Sequence, residues 1–276
     1  MTYEQKIPGI KLTDLVIGIK GGGDLATGIA LRLFRSGFTR IFIMESNAPS
    51  VVRRKVAFAS AVYDTTITVE GVTAVFTKTS DQAHDLWKQG KVAVLADPKW
   101  KTLGHIHPHV LVDAIIAKKN LGTHITDAPL VIGLGPGFNA PKDVHVVIET
   151  QRGHDLGRLI FNGEAAPNTS VPEAVMGVTL DRVLRSPAKG CFLSDASIED
   201  IVTEGQIIGH VQDKPVQTKI TGVIRGLIKN GSTVRQGQKL GDIDPRKDVR
   251  YCTTASDKAR ALGGAVLEAV LERFNR

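Results

Sequence analysis

An apolar, β-branched run that breaks into three consecutive glycines is the feature that most narrows the folds open to this chain. Leu15-Val16-Ile17-Gly18-Ile19 leads into Lys20-Gly21-Gly22-Gly23-Asp24-Leu25-Ala26-Thr27-Gly28. Continuous apolar residues bounded by glycine read as a strand buried on both faces of a parallel sheet. The next stretch, IALRLFRSGF, has helical periodicity and stops at Gly37; a second apolar strand over 41–44 closes on Glu45. Gly21-x-Gly23-x-x-Ala26 matches the dinucleotide-binding fingerprint with its permitted final Ala, and Glu45 stands at 45 − 23 = 22 residues beyond Gly23. Small residues let the backbone approach a phosphate, and the helix start supplies free N–H groups. Asp24 would repel a phosphate unless it meets a hydroxyl or ring nitrogen, and an empty βα turn is the plainer alternative. No Gly-Lys-Ser/Thr follows the glycines, which excludes a Walker-type ATPase loop.

The same grammar continues through residue 150. Strands are expected at 91–96, ending in Asp97, and at 110–112, ending in Asp113, which is read as opening a helix over AIIAKKN. A further strand at 129–132 runs into Gly133-Leu134-Gly135-Pro136-Gly137-Phe138, and another at 145–148 ends in Glu149. Strand C-termini of a parallel sheet share one edge, where ligands bind. That edge therefore collects Asp113 and Glu149 together with the candidate cofactor-binding residues Gly21, Gly22, Gly23, Asp24, Ala26, Glu45, Asp97, Gly133, Gly135 and Gly137. Arg53, Arg54 and Arg152 are candidate phosphate partners, with a solvated basic face as the alternative. His105, His107 and His109 alternate, but Pro108 interrupts them and no acid has ligand spacing, so no metal is expected.

Around Ser186-Pro187 strand–helix alternation ends. Residues 202–211 (VTEGQIIGHV) recur as 234–243 (VRQGQKLGDI), an offset of 32 that also maps Gly190 onto Gly222. Two short β-rich halves with glycines in register suggest a pseudo-twofold β structure, resembling the barrel-sandwich hybrid of biotinyl and lipoyl domains. Lys214 lies between the halves, but Pro215 stands where lipoyl domains carry a small residue, so no lipoyl or biotin is expected there. Ser256-Asp257 reads as a helix start, followed by an apolar face of Leu262, Val266, Ala269, Val270 and Phe274. The expected fold is α/β: a Rossmann-like, mostly parallel domain over 1–185, a barrel-sandwich hybrid module over 186–246, and a C-terminal helix in 247–276 packing back on the core.

Composition trims the functions. The net charge is +7, but aromatics are 5% and no basic run exceeds Arg53-Arg54-Lys55, which argues against nucleic acid. No apolar run reaches the ~18–20 residues of a membrane span, and MTYEQKIPGIKLTD has no apolar leader core. Cys191 and Cys252 are too few and too distant for a disulfide framework, which makes the cytoplasm the expected compartment. Cys252, just ahead of a helix, is a candidate reactive thiol, with an inert one as the alternative.

Beyond these patterns, GGGDLATG with RLFRSGF, VVRRKVAFASAVYD, VLVDAIIAKKNLGT, APLVIGLGPGFNAPKDVHVVIETQRGHDLGR and SDKARALGGAVLEAVL resemble one family over roughly residues 12 to 272. It is the accessory or maturation protein family of selenium-dependent molybdenum hydroxylases, more distantly similar to the chaperones of xanthine dehydrogenase maturation. The resemblance implies a role in maturing, or inserting the cofactor of, such a hydroxylase. It further implies a molybdopterin-type cofactor or nucleotide as the small phosphorylated ligand, and the hydroxylase apoprotein as partner. It assigns no catalytic residue. A homo-oligomer is compatible with the sequence, and so is NAD: an NAD(P)-linked oxidoreductase is the alternative, favoured by Glu45 but lacking an evident catalytic set.

Overall fold

A computed structural model describes residues 10–169 and 171–275; the first nine residues, part of the stretch read for a leader, lie outside them. The chain divides into two compact units. The first takes the chain through Pro49, then Phe58–Asn168 and everything from Ala255; the second takes Ser50–Ala57 and Thr169–Thr254. The second unit thus begins before residue 186, includes a short segment from far upstream, and extends to residue 254.

The first unit contains β1 (Val16–Lys20), β2 (Arg40–Glu45), β3 (Thr66–Val69), β4 (Val72–Thr77), β5 (Val92–Ala96), β6 (Val110–Asp113), β7 (Leu130–Leu134), β8 (Asn139–Ala140), β9 (Val146–Ile148), β10 (Leu159–Ile160) and β11 (Gly163–Glu164). Nine of them form one sheet in the order β10-β9-β7-β6-β1-β2-β5-β4-β3, while β8 and β11 make a separate ribbon. Only the edge pairs β3–β4 and β9–β10 are antiparallel; every inner pair is parallel. The fold is therefore mixed α/β with a large, mostly parallel sheet. β1 is buried along its whole length, as its unbroken apolar run requires.

The first helix, Asp24–Arg35, lies against the C-terminal helix, Asp257–Phe274. Ser256 Oγ caps the latter by accepting the Ala259 N–H at 3.2 Å, and Leu262, Val266, Ala269, Val270 and Phe274 are all buried. Gly28 permits the close crossing: a Cβ there would stand 2.6 Å from the Ala259 methyl. The helix expected over AIIAKKN does not form. Ile116 and Lys118 adopt φ of 58° and 63°, incompatible with a right-handed helix. Asp113 Oδ1 accepts the Ile115 N–H, and Asn120 Oδ1 accepts those of Gly122 and Thr123. These short polar side chains satisfy the backbone locally.

The second unit consists of two four-stranded antiparallel sheets built from β12 (Val183–Arg185), β13 (Gly190–Leu193), β14 (Ile201–Val202), β15 (Ile207–Val211), β16 (Lys214–Gln217), β17 (Gly222–Leu227), β18 (Thr233–Val234) and β19 (Lys239–Asp244). Their orders are β12-β19-β17-β14 and β16-β15-β13-β18. The offset of 32 carries Gly190 to Gly222, Ile201 to Thr233 and Ile207 to Lys239, the first residues of three pairs of strands. Under it one sheet order becomes the other, so each half lends its short strand, β14 or β18, to the opposite sheet. Phe192, Val211, Val223, Ile224 and Ile243 sit in the shared core.

No helix among the described residues is long and apolar enough to cross a membrane.

Candidate functional site

In the first unit the chain leaves β1 for β2 on one side, whereas β6 adds on the other. The strand order reverses there, opening a crevice beyond the C-terminal ends of β1 and β6. The first glycine loop occupies this position, and its three glycines have different duties. Gly21 has φ +85° and donates to Met44 O at 2.8 Å. Gly22 donates to Glu45 Oε2 at 2.9 Å, accepts the Ala59 N–H at 2.8 Å, and would place a Cβ 2.9 Å from the Ala59 nitrogen. Gly23 has nothing within 4 Å of a Cβ, and the helix it begins has no side-chain cap. Asp24 opens that helix and Ala26 is buried beneath it. Glu45, at the spacing the fingerprint gives to a ribose-binding acid, accepts the Ser46 N–H on Oε1 at 2.7 Å. One of its oxygens braces the glycine loop and the other the residue that follows the strand.

The second glycine cluster is filled by protein. Cβ atoms would stand 2.6 Å from the Phe138 ring at Gly133, 2.5 Å from Thr150 Oγ1 at Gly135 and 2.6 Å from the Lys119 backbone at Gly137. Gly135 N–H donates to Ile148 O at 2.9 Å. These glycines are explained by tight internal packing. Glu149 likewise accepts the Gln151 and Ala166 N–H groups, both at 2.7 Å.

Asp113, which the sequence places on this rim, belongs to a cluster at the reversal whose other members, Lys20 and Thr123, the sequence does not single out. Lys20 and Asp113 are register partners on β1 and β6, and Lys20 is wholly buried. Its Nζ donates to Thr123 Oγ1 at 2.8 Å and lies 3.3 Å from both Asp127 Oδ2 and Gly122 O; Thr123 in turn donates to Asp113 Oδ2 at 2.6 Å. The Trp100 ring centroid is 5.2 Å from Nζ, a cation–π distance. Burial lowers the Lys20 pKa against the opposing pull of Asp127 and Asp113. Burial raises that of Asp113, despite the bonds from Thr123 and Ile115 and the charge of Lys20. Displaced titratable groups in a strand-end crevice are suited to holding or moving a proton. The available signal was two charged residues, Lys20 and Asp113, each ending an otherwise apolar strand.

Asp97 sits beyond β5. Its Oδ2 accepts the Thr102 N–H at 2.7 Å. Burial pushes its carboxyl up, but bonds from Thr102, Lys101 and Lys99 outweigh that and hold it below the usual aspartate value. The same turn presents Trp100, whose N–H reaches Asp97 O at 3.2 Å. Beside Asp97 is a cleft of about 420 Å³ lined by Thr77, Lys78, Ser80, Lys101 and His105, among others. Cations and hydroxyls over strand ends suit an anionic polar ligand.

Of the expected phosphate partners, Arg152 lies in the first unit and Arg53 and Arg54 in the second. Arg53 holds the carbonyls of Tyr251 and Thr254, and Arg54 that of Leu227. Arg152 makes a two-point pair with Asp257. His109 Nδ1 accepts the Val16 N–H at 3.0 Å, and His107 ends a one-turn helix at φ +49°, so the three histidines do not share a face. No group of three or more metal-ligating side chains occurs among the described residues. Lys214 is exposed at the start of β16, just past the Gln212-Asp213 turn. Cys252 is fully buried, its Sγ 3.7 Å from Ile224 O. Burial, then Glu199, pushes its thiol pKa up against Arg53, Lys55 and Arg225, which favours the inert alternative.

Sequence comparison finds a relative 47% identical over 256 residues, the uncharacterized protein YqeB of Escherichia coli K12. The match takes in 93% of this chain and 47% of that protein, so the chain spans about half the length of the curated relative it matches. No family model matches. Among solved structures, the product-bound ectoine utilization protein EutE (DoeB) of Ruegeria pomeroyi aligns at TM-score 0.23 and 11% identity, over 83% of this chain and 57% of that one. An aspartoacylase family protein of Mesorhizobium loti aligns at TM-score 0.24 and 11% identity, over 83% and 84% of the two chains. Likenesses this weak carry no functional argument.

Proposed function

We propose that this chain is an accessory protein in the maturation or cofactor insertion of a selenium-dependent molybdenum hydroxylase, holding a phosphorylated pterin or nucleotide in the strand-end crevice. On this reading the first unit is a Rossmann-like cofactor-binding domain and the second a barrel-sandwich hybrid module. The observation that carries the ligand is the open position of Gly23 at an uncapped helix start, beside the reversal of strand order. Lys20, Asp113 and Thr123 form the floor nearby, and the cleft beside Asp97 offers room for a polar ring system. The exchange of β14 and β18 between duplicated halves supports the hybrid module, and the family motifs support the hydroxylase apoprotein as partner.

The test is thermal melting with molybdopterin, nucleotides and NAD. A ligand at a hundred times its Kd stabilises by about 2.7 kcal/mol, a readable shift. Gly23→Val should abolish it while lowering the unliganded stability by only about 1 kcal/mol, since Gly23 has φ −64° and open space. Silence from every pterin and nucleotide would sink the reading. Turnover of NAD with an aldehyde or hydroxy acid would replace it with the oxidoreductase alternative.

A further inference from the structure

A second polar pocket of the first unit is built around arginine. It has a volume of about 280 Å³ and is lined by Arg32, Arg35 and Ser36 of the first helix and by Ala255 and Arg260. Glu70, in the β3–β4 turn, anchors two of the guanidinium groups. Its carboxylate meets Arg35 Nη1 at 3.1 Å and Arg260 Nη2 at 2.8 Å, and accepts the Ala255 N–H at 2.8 Å. The Arg32 guanidinium has no hydrogen bond or ion pair among the described residues. Gly263 packs against the base of this side chain: a Cβ there would stand 2.9 Å from the Arg32 Cβ and 3.5 Å from its Cγ. Three guanidiniums facing one carboxylate leave a surplus of two positive charges.

Ordinary helix electrostatics does not require this arrangement. The C-terminal end of the first helix carries about half a negative charge, which a single arginine offsets. Arg260 lies in the first turn of its own helix, where the dipole disfavours a cation. Glu70 holds Arg260 there, and with Arg35 it leaves two forks whose freedom is already reduced before a ligand arrives. Preorganised guanidiniums are the usual means of gripping phosphate oxygens at two points. Ser36 adds a hydroxyl to the lining.

We propose that this pocket is a binding site for a phosphate dianion, carried by a small phosphorylated molecule or free in solution, independent of the Gly23 crevice. Inorganic phosphate and a nucleoside 5′-monophosphate, titrated calorimetrically into the full chain in chloride buffer, separate the two sources. The expected result is saturable binding weakened at least tenfold by Arg32→Gln and by Arg260→Gln. It should be unchanged in Arg40→Gln, which alters an exposed arginine paired with Asp14; running each titration in the Gly23→Val background as well keeps a nucleotide in the crevice from being counted. Arg32→Gln breaks no internal contact of its guanidinium, so it tests the site without loosening the fold. Tighter binding of the ester assigns the site to a phosphorylated metabolite, and equal binding assigns it to the free ion. Absence of saturable binding, or affinity unchanged by Arg32→Gln, overturns the proposal.

Discussion

Glu70 joins the β3–β4 turn to both long helices of the first unit through one carboxylate, which gives that contact a pH signature. Burial alone would raise its pKa, but the Ala255 N–H, Arg35 and Arg260 outweigh burial and hold it below the usual 4.5. An acid depressed in the folded state stabilises fully above its unfolded pKa and loses that contribution as pH falls through the folded one. The stability gap between wild type and Glu70→Gln, measured by denaturant at each pH, should therefore be constant near neutrality and close below about pH 4.5. A gap that does not narrow as the pH falls below 4.5 would show that the carboxylate charge is not what matters. Lys20 shares the direction of that slope but not the sign of the contribution: its lowered pKa means that burial as an ammonium costs stability, a cost that fades as the pH rises toward 10.5. Neither role was legible in the sequence. Glu70 reads as a turn residue before Gly71, and Lys20 as the end of a strand. Their partners, Arg260 and Thr123, lie 190 and 103 positions away, and no local pattern records such distances.

Elements were far easier to read than partners. β1, β2, β5, β6, β7 and β9 all lie where apolar runs placed them, because a strand buried on both faces must be apolar throughout. The C-terminal helix starts at its Ser256 cap and buries the face its periodicity marked. The β3–β4 hairpin and the helix Ser80–Lys88 were missed; both are half-polar, so their runs are weak. The repeat in the sequence covers three strand pairs, and a fourth, β12 with β16, starts at Val183, within the span 1–185 expected for the first domain. At the candidate site, spacing marks the glycines, but it cannot say whether a missing Cβ makes room for a ligand or for the protein itself. Gly28 is a case of the latter. Gly28→Ala would push a methyl 2.6 Å from that of Ala259 and 2.8 Å from its carbonyl oxygen. Overpacking of this kind costs about 1–3 kcal/mol, so chemical denaturation should show a loss in that range, and a neutral result would mean that the helices separate freely.

Over the whole molecule, the two units have cores of different character. The second places two wholly buried aspartates, Asp242 and Asp244, on one strand. Asp242 is paired with Arg182 and with Arg225, whose Nε lies 2.7 Å away, and Asp244 with Arg246 at 2.6 Å. Removing the charge from Asp242 leaves Arg182 without its carboxylate and Arg225 with only Asp244, 3.5 Å away, a loss of about 3–5 kcal/mol. Both tryptophans, Trp87 and Trp100, belong to the first unit, so fluorescence reports on that unit while circular dichroism reports on both. Asp242→Asn should lower the dichroism transition more than the fluorescence one, and equal shifts would mean that the two cores melt as one.

The order of segments along the chain has a consequence for the protein's birth. The first helix is complete at Arg35, yet the helix that covers Gly28 is translated only after the entire second unit. At about 5–20 residues per second, the intervening 221 residues (256 − 35) take on the order of 10–45 s to emerge. For that interval the nascent first unit presents an uncovered apolar seam.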